Sequence, residues 1–452
     1  MTISLGCTAV AGHDTTCTVS PTIAAPAAPA LKRELGRWDL TAIGVNQVIG
    51  AAIWALPAAL AAGVGTWSPW LVGAVGFAAL LSALSFAEVA SRFDGTGGSY
   101  LYTRVAFGRF AAFEVGWMLW FTRAAAWGSV INVLVASIGV YWPAVTTGTT
   151  RTLFLAAVIA AIAVINVRGI RLSSFVVNLL TFGKVLPLIV FIAAGWFFID
   201  WSRLAPGAVP SLRALSTSGL LLMFAFGGYE VIPVPGGEAR DPQRSAPFAL
   251  VTTLVIVTIL MTLAQIVAVG TLPTLATSKT PLADAAGVFF GPAGIAMITL
   301  GVVFSVSGNN MGQAISGSRN LFALAEHGDL PAFFGRVHPA YRTPTNAILV
   351  TAGVALVLAV SGTFTALAAV SALSRLVVYV ATCASTLKLR RPEFHDTVRP
   401  ALFVVPLGPV IPSLAILIAL AAITGASTLQ LMSGTAALAA GAVLYWIAAR
   451  AQ

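Results

Sequence analysis

Ala42-Ile43-Gly44-Val45-Asn46-Gln47-Val48-Ile49-Gly50-Ala51-Ala52-Ile53-Trp54-Ala55-Leu56-Pro57 decides how the rest of this chain is read. The stretch lies in the first long apolar segment, 41–65, yet it makes a poor continuous helix. Glycine weakens a helix interior, and proline lacks the amide that would continue the hydrogen-bond ladder. A membrane segment tolerates such a break where the freed backbone is buried in protein or faces a water-filled cavity. Free amides at one half-helix end then attract an anion, and free carbonyls at the other attract a cation. Close helix packing through small residues is the competing explanation.

A second segment separates the two. Leu222-Met223-Phe224-Ala225-Phe226-Gly227-Gly228-Tyr229-Glu230-Val231-Ile232-Pro233-Val234-Pro235-Gly236-Gly237-Glu238 is again apolar and is broken near its middle. Four further apolar segments lie between the two, so the second break opens a second set of five. Broken segments at matching places in two halves point to the central site of a secondary transporter.

Composition excludes a soluble fold. Hydrophobic residues make up 58% of 452 and charged residues 9%, against roughly a quarter charged in soluble domains. Apolar segments fall at 41–65, 67–91, 110–141, 152–167, 174–198, 216–236, 247–271, 288–315, 345–361, 364–387, 401–423 and 429–448. That pattern predicts an all-helical integral membrane protein of about twelve spans at ~20 residues each. The net charge of +10 is scattered over short loops, not gathered on one face, so it does not indicate nucleic acid. With an even span count both termini share a side. If that side is cytoplasmic, eighteen of the 25 Lys and Arg lie in cytoplasmic loops, four outside, and three, Arg123, Lys184 and Arg375, within spans. The positive-inside rule then places the chain in the cytoplasmic membrane with both termini cytoplasmic.

Residues 1–37 read as a disordered tail rich in Ala, Thr and Pro, without the basic start and apolar core of a signal peptide. Cys7, His13 and Cys17 within it are not spaced as metal ligands, and Cys383 stands alone, so no metal, cofactor or disulfide is expected. Residues 38–200 form the first five-helix unit, 201–395 the second, and 396–452 carry two further helices. The stretch from Arg319 to Thr343-Pro344 reads as a short amphipathic helix that stops at Gly328 and Pro331, with His327 and His338 as surface residues.

Laid out this way, the chain resembles the amino acid–polyamine–organocation superfamily. Gly44 to Pro57 is similar to the broken first helix. Phe86-Ala87-Glu88-Val89-Ala90-Ser91-Arg92-Phe93 with Gly97-Gly98-Ser99-Tyr100, Asn166-Val167-Arg168-Gly169, Phe226 to Glu230 with Gly237-Glu238, the Arg319 to Pro344 loop, and Leu387 to Pro392 follow in family order. The resemblance implies the leucine-transporter fold, a 5+5 inverted repeat with broken helices 1 and 6 plus two helices. It implies a permease, not an enzyme, moving amino acids by alternating access. It also places substrate at Ile49, Gly50, Ala51, Ala52 and Ile53 and at Phe226, Gly227, Gly228 and Tyr229. Phe224 stands where an aromatic gate is common. The first break departs from the usual Gly-Ser-Gly or Gly-Ala-Gly: Ala52 sets a methyl group where backbone would approach a substrate carboxylate.

Ionisable groups at bilayer depth cost roughly 2.5–3.5 kcal/mol to insert and are functional candidates. Lys184 lies about ten residues into span five, ~15 Å deep. Its setting resembles that of the lysine that sodium-independent relatives carry, which implies an ammonium replacing a sodium ion and able to load and unload a proton. A fixed strut between helices is the alternative. Glu230 follows the second break and can accept backbone hydrogen bonds, attract a cation or pair with Arg123. Arg123, near mid-depth of span three, gives the cavity a guanidinium suited to a carboxylate unless Glu230 neutralises it. A mutual salt bridge is expected, leaving a cavity fitted to a neutral zwitterion. Asn309 and Gln313, one helical turn apart, can face the site together. Arg375 has no assigned role, and Glu88 and Glu114 read as partners of loop arginines.

A polyamine or other organic-cation carrier would want several acidic groups, and only Glu230 is in place. A membrane enzyme lacks its motifs here: there is no phosphate-binding Gly-rich loop, no His-Glu-x-x-His and no Gly-x-Ser-x-Gly. A nutrient receptor on the same scaffold would carry a sizeable signalling domain. Neither the particular amino acid nor the oligomeric state can be read.

Overall fold

Apolar segments joined by short polar turns leave the backbone only helix to adopt, since lipid offers it no hydrogen-bond partner. The structure, a computed structural model, describes residues 30–139, 142–361, 364–424 and 428–450. Most of the expected tail, residues 1–29, lies outside them.

Fourteen helices are described. They are α1 (Arg37–Val48), α2 (Ala52–Val64), α3 (Ser68–Ala90), α4 (Ser99–Phe107), α5 (Arg109–Gly139), α6 (Gly148–Val167) and α7 (Ile170–Gly195). They continue with α8 (Leu212–Ala225), α9 (Pro242–Thr271), α10 (Pro281–Glu326), α11 (Thr345–Ser361), α12 (Phe364–Lys388), α13 (Val410–Thr424) and α14 (Thr428–Arg450). Among the described residues there is no strand, only one isolated bridge between Leu35 and Ala239. Among the described residues, eight helical stretches are long and apolar enough to cross a membrane, and α11 and α13 are shorter apolar helices.

The interior is built by pairing across the chain: α3 packs along α9, and α5 packs along both α10 and α12. Helix α7 shows how a span sorts its sides. Phe175, Leu179, Phe182, Leu186 and Ile189 are exposed along one face, while Val177, Thr181, Lys184, Leu188 and Phe191 are buried along the other. Spacings of three and four residues produce both stripes.

The first segment breaks as expected, but earlier and more briefly. Helix α1 ends at Val48, Ile49 leaves helical geometry at φ −76°, ψ 76°, and α2 already begins at Ala52. Ala52 and Ile53, expected in the break, are therefore helical; alanine is the best helix former and nothing there demands another conformation. The second segment breaks more deeply. Helix α8 stops at Ala225, Gly228 takes φ 127°, and the chain continues in 3₁₀ turns over Tyr229–Val231 and Gly236–Glu238. The amides of Val231, Ile232, Val234, Gly236 and Glu238 each donate to the carbonyl three residues back. Pro233 and Pro235 have no amide to give, so an α ladder cannot close there.

Two other expectations are corrected. The polar run after 319 is no separate amphipathic helix but the end of α10, bent at Gly291 with φ 57°, and Ser316 to Ala325 are all buried. The expected stop at Gly328 holds, with φ 75°. Residues 401–409 are not helical, because Val405 donates its amide to Glu88 instead. Helix α4, nine residues between the second and third apolar segments, is too short and too polar to register as an apolar segment.

Candidate functional site

Breaking α1 frees carbonyls in the protein interior, and these must find donors. Lys184 supplies them: its Nζ donates to the carbonyl oxygens of Ile49 at 2.7 Å and Asn46 at 2.9 Å. Ser305 of α10 donates to the carbonyls of Ile49 at 3.0 Å and Gly50 at 3.1 Å, so the lysine and span eight meet on one oxygen. The fully buried ammonium reaches one carbonyl inside the break and one a turn before it.

Helices α1 and α10 are then stitched reciprocally. Asn46 donates to the Gly308 carbonyl at 2.6 Å and Gln47 to that of Asn309 at 3.0 Å, while Asn309 Nδ2 returns to the Gln47 carbonyl at 3.2 Å. Gln313 Nε2 donates to Asn309 Oδ1 at 3.1 Å. Gly308 and Gly312 make this possible, since a side chain at either would collide with Asn46 or Gln47. The two breaks meet at Gly228: a Cβ there would stand 2.9 Å from the carbonyl carbon and oxygen of Gln47.

Glu230 is the second centre. Its Oε1 accepts Arg123 Nη2 at 2.9 Å and lies 3.1 Å from Arg375 Nε. Its Oε2 accepts the Gly228 amide at 2.8 Å and the Tyr379 hydroxyl at 2.9 Å. Glu230 is fully buried and Arg123 1% exposed, whereas Arg375 keeps 14% of its side chain exposed. Arg375 lies across Gly227, whose missing side chain makes room for it. Tyr229 and Tyr379 stack with ring centroids 5.2 Å apart, and Phe86 stands edge-on to both.

The expected residues thus divide. Ile49 and Gly50 contribute carbonyls, Gly227 and Gly228 give clearance, Lys184, Asn309 and Gln313 surround the first break, and Glu230 and Arg123 form a separate pair at the second. Ala51 lines a cavity of about 440 Å³ with Trp54, Thr280 and Val302, and Phe224 lines another of about 690 Å³ with Ala59, Gly63 and Ser218. Phe226 turns elsewhere, its ring reaching Gly76 of α3. Ile53 is buried in the apolar core. Sequence reasoning missed Asn46, Gln47, Ser305 and Tyr379 and assigned Arg375 no role. Spacing carried a signal for some: Ser305, Asn309 and Gln313 recur every four residues, as do Arg375 and Tyr379. Glu114, expected to pair with a loop arginine, instead lies against Gly441 of α14 with no hydrogen bond to either oxygen.

The face rich in Lys and Arg is closed. Arg319 and Glu238, both fully buried, form two bonds of 2.8 Å, and Arg319 Nη1 also donates to Asn166 at 2.6 Å. The Glu34 and Leu35 amides donate to the Glu238 carbonyl at 2.9 Å, and that of Gly97 to Val234 at 3.0 Å. Nearby, Asp329 takes Arg104, Arg109 and the Tyr100 hydroxyl. Burial and that carboxylate hold the Tyr100 phenol well above its ordinary range. The first cavity is lined by α2, α5 and α10, and the second by α2 and α8. Among the described residues, no group of His, Cys, Asp and Glu could hold a metal ion.

The amino acid permease family profile matches residues 35–448. A transporter without assigned substrate from Mycobacterium tuberculosis (strain ATCC 25618 / H37Rv) is 30% identical, covering 80% of this chain and 82% of the relative. The branched-chain amino acid permease BcaP of Bacillus subtilis (strain 168) is 27% identical over 93% of this chain and 94% of its own. The methylthioribose transporter of the same organism is 26% identical over 84% and 86%. A broken first helix, a glycine-rich break facing it and a match over residues 35–448 lead to one conclusion: the chain belongs to the amino acid permease family, within the amino acid–polyamine–organocation superfamily.

Proposed function

We propose that this multi-pass membrane protein moves amino acids across the cytoplasmic membrane by alternating access, without sodium, and either coupled to protons or by exchange. The observation that carries the reading is the Lys184 ammonium on the carbonyls of Asn46 and Ile49. Unwound carbonyls at a broken helix are where a transporter coordinates its alkali cation. A tethered ammonium there makes that cation dispensable, and as a titratable group it can carry a proton in its place. A fixed strut accounts for the same two bonds, so Lys184 is proposed as cation replacement first and proton carrier second.

Support for a 5+5 inverted repeat comes from the matching places of the two breaks and from the pairings of α3 with α9 and α5 with α10. Cytoplasmic termini follow from the loop charges. Substrate is assigned to the region bounded by Gly50, Ala51, Phe224, Gly227, Gly228 and Asn309. A polyamine carrier is disfavoured, because Arg123 and Arg375 already share the carboxylate of Glu230 and Lys184 adds a third cation at the breaks. Uptake of labelled amino acids by purified protein in liposomes, with sodium and pH gradients imposed separately, is the test. Uptake that requires a sodium gradient contradicts the reading, and uptake of amines alone redirects it to organic cations.

A further inference from the structure

We infer that the substrate is an amino acid bearing an additional anionic group, with Arg375 and Arg123 as its specificity-determining cations. This rests on the amino acid reading above and deepens it.

The argument begins with charge. Three cations, Arg123, Lys184 and Arg375, gather around the two breaks; Glu230 pairs with the two arginines, while Lys184 is bonded to the backbone carbonyls of Asn46 and Ile49. Glu230 has no spare capacity. Oε1 is shared by two guanidiniums, and Oε2 is filled by the Gly228 amide and the Tyr379 hydroxyl. One carboxylate cannot neutralise both the buried Arg123 and the partly buried Arg375, and an uncompensated buried charge is strongly destabilising.

The geometry identifies where the missing anion goes. Arg123 uses one of its three nitrogens, leaving buried Nε and Nη1 without any acceptor. Arg375 sits across Gly227, reaches the last carbonyls of α8 at Phe224 with a 3.5 Å contact, and retains part of its surface. Guanidinium donors lie in a planar fork that matches a carboxylate, and such charge-assisted bonds are roughly twice as strong as neutral ones. Buried donors left open are what a substrate acceptor can fill, and a site built this way rejects analogues that lack the acceptor.

Counting ions distinguishes substrate classes. A zwitterion brings a cation with its carboxylate and leaves the excess unchanged, and an amine or basic amino acid increases it. An acidic amino acid, with one net negative charge, removes one excess cation. This departs from the expectation of a neutral site: Arg123 and Glu230 do pair, but Arg375 joins them and restores the positive balance.

The test is competition against labelled uptake in liposomes, with thermal stabilisation of the detergent-solubilised protein as a binding readout independent of turnover. L-Glutamate and L-aspartate should act at concentrations at least about tenfold below L-leucine, with L-ornithine and putrescine weakest. Arg375→Gln should lower the glutamate-to-leucine ratio about tenfold, and Arg375→Lys should lower it less. Should Arg375→Gln not fold, the wild-type profile decides alone. Leucine uptake with glutamate excluded, or a ratio unmoved by Arg375→Gln, overturns the inference and leaves the amino acid reading standing. Absence of uptake and stabilisation for every amino acid overturns both.

Discussion

Lys184 and Ile49 are joined by a 2.7 Å hydrogen bond from ammonium to carbonyl, and Ser305 donates to the same oxygen from the other side. Spans five, one and eight therefore meet at one freed backbone atom. Lys184→Ala removes one donor from each of the Ile49 and Asn46 carbonyls, while the surrounding helix pairings stay. Transport should fall by at least about tenfold, or lose its response to a pH gradient, with the protein still monodisperse. Wild-type rate and pH dependence in the variant would reduce Lys184 to a strut at most.

Glu230 accepts three hydrogen bonds and forms an ion pair with Arg375, which sets an order among substitutions. Arg123→Gln leaves the carboxylate with Arg375, Tyr379 and the Gly228 amide. Glu230→Gln leaves two guanidiniums without a counter-ion. Removing one partner of a buried pair costs about 3–5 kcal/mol, so Glu230→Gln should lower the thermal midpoint more than Arg123→Gln. The double change should recover part of the loss, since it removes one unpaired cation. Additive losses would mean that the two side chains act independently.

Gly228 adopts φ 127°, and a methyl group there would press on the Gln47 backbone. Gly228→Ala combines backbone strain of about 1–3 kcal/mol with that collision. The variant should show reduced thermal stability and little transport. Gly219→Ala, in α8 with open space around its Cα, is the control and should be tolerated. Equal behaviour of the two would deny that the breaks need close contact.

Much of this architecture was legible because it is local. Apolar runs, the glycines and prolines of both breaks, and the depth of Lys184 are properties of short windows. What was not legible depends on partners far away in the chain. Arg319 reads as a loop residue until Glu238 and Asn166, 81 and 153 positions away, receive it inside the protein. Arg375 has no assignable role until Glu230, from another span, lies beside it. The 3₁₀ path after Gly228 was hidden differently. Pro233 and Pro235 announce a disturbed helix, but which alternative the chain takes is settled by packing against Gly95 to Gly98.

That same packing makes the basic face a closed gate, and Arg319 with Glu238 is its fastener. Both are fully buried, both oxygens of Glu238 are engaged, and the pair ties α10 to the 3₁₀ end of the second broken segment. In the alternating-access reading proposed above this contact has to open, so its strength biases the equilibrium between conformations. Arg319→Gln leaves Glu238 buried without its cation, and opening to water is how the carboxylate recovers solvation. Thr96 reports the change, since it is 2% exposed and touches Gly237. With Cys7, Cys17 and Cys383 replaced by Ser, Thr96→Cys should react slowly with an impermeant maleimide added from the basic face. Adding Arg319→Gln should raise that rate by about tenfold or more, a population shift that needs only ~1.4 kcal/mol. A substrate that binds the opposite-facing form should slow the labelling again. Unchanged labelling in the Arg319 variant would show that the backbone contacts of Leu35, Gly97 and Val234 hold the gate by themselves.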